Sequence, residues 1–326
     1  MDKLRTYQQM IADGLAKIPL IGKPDELYEP IRYVLALGGK RMRPVLTLFG
    51  CDLFDGPVEN ALDAALGIEL FHNFSLVHDD IMDKAPLRRN QPTVHEKWNP
   101  SVAILSGDAL LIKAYQQIGK VPLAWQPEVL NVFNDTALLV CEGQQLDMNF
   151  ENLPQVSIYQ YMKMIELKTA ALLAGSLQIG AILGSARYED AMALYEFGRN
   201  MGIAFQLQDD ILDVYGEKDK FGKRTGGDIV SNKKTFLLLK ALEISSHSPY
   251  RKEELLQWIH APEFNPSEKV SAVTAIYDSL DVHALAKKEM NKYYEKALES
   301  LAGIPVREDK KSGLLALTNS LMVRET

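Results

Sequence analysis

Apolar residues recur along most of the chain at spacings of three and four residues, as in ALDAALGIELFHNFSLVH (61–78) and VLNVFNDTALLVCEGQQLDM (129–148). This period places them on one face of an α-helix, whereas the strict alternation of a strand is scarce. Prolines from Pro24 to Pro305 divide the chain into helical segments of roughly 15 to 30 residues. Several segments are apolar on most faces. The pattern therefore predicts an all-α fold, a large helical bundle around a deep central cavity.

The composition is that of a globular protein with ample material for a core, since 47% of the 326 residues are hydrophobic and 24% are charged. Neither a Ser/Gly/Pro-rich linker nor a low-complexity tract divides the chain. We therefore predict a single domain over residues 1–326. Residues 169–186 form the longest uncharged stretch, but Ser176, Gln178 and several glycines interrupt it. We expect a buried helix there and no membrane span.

Charge and cysteine content exclude two further classes. The formal net charge of -7 argues against a general nucleic-acid binder, because affinity for the phosphate backbone needs an excess of lysine and arginine. Cys51 and Cys141 are far apart and lack metal-binding spacing. They offer neither a disulfide framework nor a zinc site, and they suit a reducing compartment. We predict a cytoplasmic protein.

Two acidic motifs, DDIMD (79–83) and DDILD (209–213), stand out within apolar segments. Residues four apart differ by about 40° around a helix, so each motif places two carboxylates on one face. A solvated acidic face is the plain alternative, but the flanking sequence is apolar. Carboxylates without cysteine or clustered histidine favour a hard cation, and Mg²⁺ takes one or two carboxylates together with substrate phosphate oxygens. We predict several Mg²⁺ ions that bridge a diphosphate.

Basic residues follow or precede these motifs. GGKRMRP (38–44) begins with two glycines that allow close approach of a ligand, RR (88–89) follows the first motif, and KFGKRTGGDIVSNKKTF (220–236) follows the second. Cations beside each metal site indicate a second anionic substrate as well as the metal-bound one. Lys168 and Thr169 lie in an otherwise apolar segment, where a lysine either extends to solvent or serves a cavity.

These segments, with LKT (167–169), carry a close resemblance to the trans-isoprenyl diphosphate synthases, the polyprenyl synthetase family. The resemblance covers most of the chain. It implies the isoprenoid synthase fold, usually as a homodimer, and head-to-tail chain elongation. An allylic prenyl diphosphate ionises with magnesium assistance, and the carbocation alkylates isopentenyl diphosphate. Loss of a proton, for which the family is thought to use the departed diphosphate, then gives a longer allylic diphosphate.

The resemblance also implies a role for individual residues. The principal magnesium ligands are Asp79, Asp83 and Asp209, with Asp80, Asp210 and Asp213 supporting them or acting through water. The contacts to the allylic diphosphate are Arg88, Lys168, Thr169, Gln206, Lys223 and Lys233. The contacts to isopentenyl diphosphate are Lys40, Arg43, His72 and Arg89. Lys168, Thr169 and Gln206 are further expected to stabilise the carbocation and the leaving group.

Helix phase supports one of these assignments. His72 lies seven residues before Asp79, about 20° away in projection, and so shares the acidic stripe. A satisfied core histidine is the alternative. His78 is adjacent to Asp79 and points elsewhere, and we assign it no chemistry.

Product length is expected to depend on Phe74 and Ser75, five and four residues before Asp79, where the resemblance places chain-length control. A large ring at this fifth position, a small neighbour and no insertion in the first motif are typical of a geranylgeranyl-type synthase. A farnesyl diphosphate synthase is the close alternative, and a longer-chain polyprenyl synthase is a weaker one. Ideal helix phase brings Ser75 nearer than Phe74 to the aspartates, so geometry alone does not derive the blocking role.

Three other classes share parts of the pattern. A terpene cyclase normally replaces the second motif with an Asn/Ser/Glu triad, which DDILD is not. An HD-type phosphohydrolase needs more metal-binding histidines than HDD (78–80) and the other histidines of the chain provide. A non-catalytic regulatory subunit would have lost aspartates or arginines that are present here.

Overall fold

The computed structural model describes residues 2–216, 226–246 and 248–322. Helices account for nearly all of its regular structure, which confirms the all-α prediction. Leu87–Arg88 (β1) and Gln91–Pro92 (β2) are the strands among these residues, and they form one antiparallel hairpin. The helices of the first half are Asp2–Lys17 (α1), Asp25–Ala36 (α2), Met42–Leu53 (α3), Val58–Met82 (α4), Val94–Lys97 (α5), Pro100–Ile118 (α6) and Gln126–Asn152 (α7).

The second half continues with one long interrupted helix. Ile158–Ile165 (α8) leads into a π-helical segment, Glu166–Ala170, which we call the π-turn, and then into Ala171–Leu183 (α9). The remaining helices are Tyr188–Tyr215 (α10), Gly227–Val230 (α11), Phe236–Ser245 (α12), Pro249–His260 (α13), Pro266–Ser279 (α14), Val282–Ala302 (α15) and Glu308–Met322 (α16).

The chain divides into two compact units, and each contains several separate stretches of sequence. Unit 1 comprises Met1–Leu138, Leu172–Tyr195 and Gly303–Leu317. Unit 2 comprises Leu139–Ala171, Glu196–Ala302 and Thr318–Thr326. The first acidic motif therefore belongs to unit 1, and the second belongs to unit 2.

Unit 1 is built on close helix packing. Gly50 of α3 and Gly180 of α9 allow two backbones to touch, because a Cβ on Gly50 would lie 2.6 Å from the carbonyl oxygen of Leu177. Ile68 and Phe71 of α4 are also fully buried. The stretch Ile158–Leu183 is long and apolar enough to cross a membrane, but 78% of its most apolar window is buried within the structure. That burial suits a core helix, as the sequence predicted for residues 169–186.

Unit 2 has its own apolar core. Leu207 and Ile211 of α10 pack in one buried cluster with Leu237 of α12, Ile276 of α14 and Ala286 of α15. These α10 residues alternate with the aspartates of the second motif along the same helix. The core therefore fixes the direction in which the motif side chains leave α10.

Candidate active site

The first motif lies at the carboxyl end of α4. Asp79 and Asp80 are in its last turn, and Asp83 directly follows it. The backbone N–H of Asp83 donates to the carbonyl of Asp79 at 2.8 Å, which keeps the two residues in helical phase. Asp79 is partly buried, Asp83 is exposed and Asp80 is buried. The outer aspartates share a face as predicted, and the middle one points into the protein.

Asp80 forms a two-pronged ion pair with Arg88. Nε and one terminal nitrogen of Arg88 donate to the two carboxylate oxygens, each at 2.7 Å. This paired geometry is the strong form of an arginine–carboxylate contact. The contact fixes Arg88 beside the motif, so its guanidinium is held by the protein before any substrate arrives.

A tight hairpin presents Arg89 next to Arg88. Arg88 pairs with Gln91 across the two strands, and the turn residues Arg89 and Asn90 have φ of 53° and 61°. Two successive positive φ angles are the mark of a type I′ turn. A Cβ on Gly39, whose φ is +135°, would lie 2.6 Å from the Arg89 guanidinium. The second glycine of GGKRMRP therefore leaves room for Arg89.

Arg43, His72 and Arg89, predicted to bind isopentenyl diphosphate, form one cationic cluster in unit 1. One terminal nitrogen of Arg43 lies 3.2 Å from Nε2 of His72. Burial lowers the pKa of His72 well below its usual value, and the positive charges of Arg43, Arg89, Arg88 and Arg41 lower it further. The imidazole is therefore neutral at pH 7, and its Nε2 accepts from Arg43.

Part of this cluster lacks a partner. Nε of Arg43 is buried and has no hydrogen-bond partner among the described residues. Across those residues, Arg41 and Arg88 each have a carboxylate partner, whereas none lies within ion-pair distance of Arg43. Lys40 is exposed, and its backbone carbonyl accepts from the side chain of Gln8 at 3.1 Å. The cluster has the charge of an anion-binding site.

Glu69 is a residue that the sequence reasoning missed. It is 2% exposed on α4 and accepts from Arg41 and, at 3.0 Å, from Nδ2 of Asn73. Arg41 also donates to the carbonyl of Leu35 at 2.7 Å. Arg41 thereby fixes the start of α3, where Arg43 lies. A lone glutamate within the apolar stretch ALGIELF was the available signal.

The residues assigned to chain-length control are both partly buried on α4. The Phe74 ring contacts Phe71, with centroids 5.5 Å apart, and His78, at 4.7 Å. His78 points toward α6, where its Nε2 lies 3.1 Å from the carbonyl of Ile104. The hydroxyl of Ser75 donates to the carbonyl of His72 at 2.9 Å. Ser75 therefore presents little beyond its Cβ, and Phe74 provides the bulk.

The second motif lies within α10, and its middle residue is again buried. Asp210 accepts from the Tyr161 hydroxyl, from Nε2 of Gln206 at 3.2 Å and from the backbone N–H of Phe236 at 3.4 Å. Burial raises the pKa of Asp210 to about 7. The Gln206 carbonyl in turn accepts from the Thr169 hydroxyl at 3.1 Å. The predicted residues Thr169, Gln206 and Asp210 thus form one hydrogen-bonded chain.

Asp213 has a structural contact of its own. Its carboxylate accepts from the backbone N–H of Asp228 at 2.9 Å, which anchors the short helix α11. Lys233 follows α11 and is exposed. Its backbone N–H donates to the backbone carbonyl of Asp228 at 2.9 Å. Lys269 anchors the loop that follows α11, because its ammonium donates to the Asn232 side chain at 2.7 Å. Lys223 lies outside the described residues.

Lys168 and Thr169 lie on the π-turn, a feature that the sequence did not predict. The extra residue in this turn is typical of functional positions in helices. The Lys168 ammonium donates to the carboxylate of Asp147 on α7 at 2.6 Å. Both side chains are about one-fifth exposed. Lys168 therefore faces a carboxylate and is not simply extended into solvent.

Among the described residues, no three His, Cys, Asp or Glu side chains form a ready-made metal cluster. Asp80, Asp210 and Asp213 accept hydrogen bonds from protein donors. Asp79 and Asp209 are partly buried, and Asp83 is exposed. That donor set fits Mg²⁺, which takes one or two carboxylates and fills its remaining positions with water and phosphate oxygens.

Comparison with known proteins agrees with the resemblance. The polyprenyl synthetase family model matches residues 24–279. A geranylgeranyl diphosphate synthase of Methanosarcina mazei is 38% identical over 247 residues, which are 74% of this chain and 76% of that protein. A crystal structure of a geranylgeranyl pyrophosphate synthase is 37% identical, with a TM-score of 0.94 and full coverage of both chains.

A second solved structure shows the ligands of a relative. The geranylgeranyl pyrophosphate synthase from Corynebacterium glutamicum, complexed with isoprenyl diphosphate and magnesium, is 26% identical, with a TM-score of 0.86 over 99% of both chains. Sequence, fold and arrangement of motifs therefore agree: the chain has the isoprenoid synthase fold and belongs to the polyprenyl synthetase family.

Proposed function

We propose that this prenyltransferase condenses isopentenyl diphosphate with an allylic diphosphate, head to tail and with Mg²⁺, to give geranylgeranyl diphosphate. The observation that carries the proposal is the cationic cluster around neutral His72. Like charges of Arg43, Arg88 and Arg89 near the partly buried imidazole of His72 repel one another, and a bound polyanion relieves that repulsion. The buried Nε of Arg43 supplies an unused donor for it.

In this proposal isopentenyl diphosphate binds directly to protein cations. Arg43 and Arg89 donate to its phosphate oxygens, and Lys40 adds charge from the exposed side. His72 stays neutral and holds Arg43 through its lone pair. The guanidinium groups suit this task because their fork of N–H donors matches two phosphate oxygens.

The allylic diphosphate is assigned to the acidic motifs. Asp79, Asp83 and Asp209 are the proposed residues that would hold Mg²⁺, which would supply positive charge to stabilise a departing diphosphate. Asp80 and Asp210 act indirectly, because Asp80 positions the Arg88 guanidinium and Asp210 positions the Gln206 amide. Asp213 positions the loop that carries Lys233. Arg88, Lys168, Lys233 and Lys223 are the proposed cationic contacts.

Stabilisation of the carbocation is assigned to oriented dipoles. The Asp210 carboxylate accepts from the Gln206 amide, so the Gln206 carbonyl turns to the Thr169 hydroxyl. The Thr169 proton is thereby engaged, and its oxygen lone pairs remain for a cation. No protein base is required, since the departed diphosphate accepts the proton.

The twenty-carbon product is the finer part of the proposal. Phe74 is held against Phe71 and His78, so its ring is a fixed obstacle, while Ser75 is small. The geranylgeranyl synthases among the relatives support this length, and a fifteen-carbon farnesyl product is the alternative.

We further propose a single polyprenyl synthetase domain over 1–326 that acts in the cytoplasm as a homodimer. The chain passes between the two units several times, which argues against independent domains. Leu105 and Ile112 of α6 are each 59% exposed and lie about 20° apart in helical projection. Such an apolar stripe suits a second copy of the chain. Sedimentation equilibrium of the purified protein tests the dimer, and a monomer at micromolar concentration would refute it.

One assay tests the reaction. Purified protein is incubated with isopentenyl diphosphate, Mg²⁺ and, separately, dimethylallyl, geranyl or farnesyl diphosphate, and the products are separated by chromatography. We expect geranylgeranyl diphosphate and no turnover in EDTA. A hydrocarbon product would indicate a terpene cyclase, and no product with any primer would refute the proposal.

A further inference from the structure

The second half of α7 carries residues to which neither the motifs nor the proposed chemistry assign a role. Gly143 and Asp147, in EGQQLDM (142–148), are four residues apart and so share one face of the helix. Both lie in unit 2, as does the π-turn. This face of α7 is the one that meets Lys168.

Gly143 lets two backbones come into direct contact. A Cβ on this residue would lie 2.6 Å from Cα of Lys168 and 2.7 Å from the carbonyl carbon of Leu167. These are main-chain atoms of the π-turn and cannot rotate away as a flexible side chain would. Any larger residue would therefore push the π-turn away from α7.

Asp147 fixes the side chain that emerges from the same contact. Its carboxylate accepts from the Lys168 ammonium at 2.6 Å. An ammonium has three donors, so one bond to Asp147 leaves two for a phosphate. A lysine has a long flexible stem, and without a partner its charge would sample many positions.

The other contacts of the π-turn show what α7 adds. Arg199 approaches Glu166 at 3.8 Å, and Lys163 donates to it at 3.1 Å. Thr169 is held by Gln206 at 3.1 Å. Contacts from α8 and α10 thus hold the π-turn on either side of Lys168. Among the described residues, the Lys168 ammonium makes its side-chain contact with Asp147.

We propose that Gly143 and Asp147 are positioning residues for the reaction. Gly143 sets the depth at which the π-turn packs on α7, and Asp147 sets the direction of the Lys168 ammonium. Neither residue touches substrate. The proposal rests on the proposed function in one respect, which is that Lys168 contacts the allylic diphosphate.

A double-mutant cycle tests the action through Lys168. The variants are Asp147→Ala, Lys168→Met and the double variant, with Asp135→Ala, an exposed aspartate on the same helix, as the matched control. We expect Asp147→Ala to lower kcat/KM for the allylic diphosphate about ten-fold in the wild-type background. In the Lys168→Met background, the same change should lower it less than about two-fold. The KM for isopentenyl diphosphate should stay within about two-fold of the wild type.

Equal losses in both backgrounds, or no loss in the wild-type background, would overturn the proposal. Gly143→Ala is expected to lower kcat/KM at least as much, but it also risks misfolding. Its control is Gly119→Ala, because Gly119 has an ordinary φ of -67° and an added Cβ would meet only its own helix.

A second measurement does not depend on activity. Amide hydrogen exchange over residues 166–171 reports the π-turn directly, and we expect faster exchange in Asp147→Ala and Gly143→Ala than in their controls. Unchanged exchange would refute the positioning role. If the wild-type protein makes no product from any primer, the proposed function fails, while the exchange data still decide whether α7 holds the π-turn.

Discussion

The two acidic motifs share four of five residues, DDIMD and DDILD, yet their middle aspartates are neutralised in different ways. Asp80 is paired with a full positive charge, the Arg88 guanidinium, from a hairpin eight residues away. Asp210 is surrounded by neutral donors, those of Tyr161, Gln206 and Phe236, from three different helices. The first motif is therefore stabilised by an ion pair between residues close in sequence, and the second by hydrogen bonds to Asp210 from three helices.

The aspartates of each motif therefore have two different roles, metal binding and positioning of another residue, which the sequence pattern DDxxD alone does not distinguish. Asp79, Asp83 and Asp209 are the proposed metal ligands. Each middle aspartate instead positions another residue of the site: Asp80 positions Arg88 in unit 1, and Asp210 positions Gln206 in unit 2. The comparison predicts that outer and middle substitutions have different signatures, the first in turnover and the second in stability.

The largest effect is expected at the outer positions. Asp79→Asn and Asp209→Asn should each lower kcat by about 10²–10³-fold, since each removes one carboxylate oxygen from a proposed ligand of the metal that would stabilise the leaving group. The unfolding midpoint should stay near that of the wild type, as checked by circular dichroism. Near-normal magnesium-dependent turnover in either variant would contradict the metal role of that aspartate.

A smaller effect distinguishes the middle positions. Asp80→Asn should lower the free energy of unfolding by about 1–3 kcal/mol, because Arg88 has only donors and cannot adapt to an amide N–H. Asp210→Asn should cost less than about 1 kcal/mol, because the Gln206 amide can rotate and accept instead. Urea denaturation measures both, and exposed Asp83→Asn is the control. Equal costs at the two positions would remove the distinction.

The sequence predicted much of this arrangement. Helical periodicity identified the all-α fold, and the acidic motifs were placed correctly on helices because their phase follows from local spacing alone. Arg88 was predicted to serve the substrate, and its pairing with Asp80 was not foreseen. The turn that makes the pairing possible requires positive φ at Arg89 and Asn90. Asparagine favours that conformation, but arginine does not, so the sequence RN alone did not predict the turn.

The sequence analysis did not predict the contacts between residues that are far apart in the chain. Tyr161 and Asp210 are 49 positions apart, and Asp147 and Lys168 are 21 apart, on different helices. Periodicity reports which face of a helix is buried but not which helix covers it. The sequence did not predict the π-turn at Glu166–Ala170 either, because helical periodicity does not mark the one extra residue of such a turn.

A further contrast lies five residues before each motif, where Phe74 precedes Asp79 and the small, buried Ala204 precedes Asp209. Phe74→Ala should lengthen the product by about one or two isoprene units, because deletion of the ring opens space along α4. Product chromatography measures this, with Phe74→Tyr as the control that keeps the ring. An unchanged product profile in Phe74→Ala would refute the chain-length role.

The subtlest difference between the two regions is in pH dependence. The folded-state pKa of His72 is lowered, so its contribution to stability is complete above about 6.5 and is lost as the pH falls, because only the unfolded chain takes up the proton. The raised pKa of Asp210 acts in the opposite direction, since its contribution to stability is lost as the pH rises towards about 7.

His72→Gln, which keeps an acceptor for Arg43, should therefore lose less stability than the wild type between pH 8 and about pH 5.5. Urea unfolding at both pH values measures this, with exposed His260→Gln as the control. An identical pH dependence in His72→Gln and the wild type would show that burial and the surrounding arginines do not hold His72 neutral.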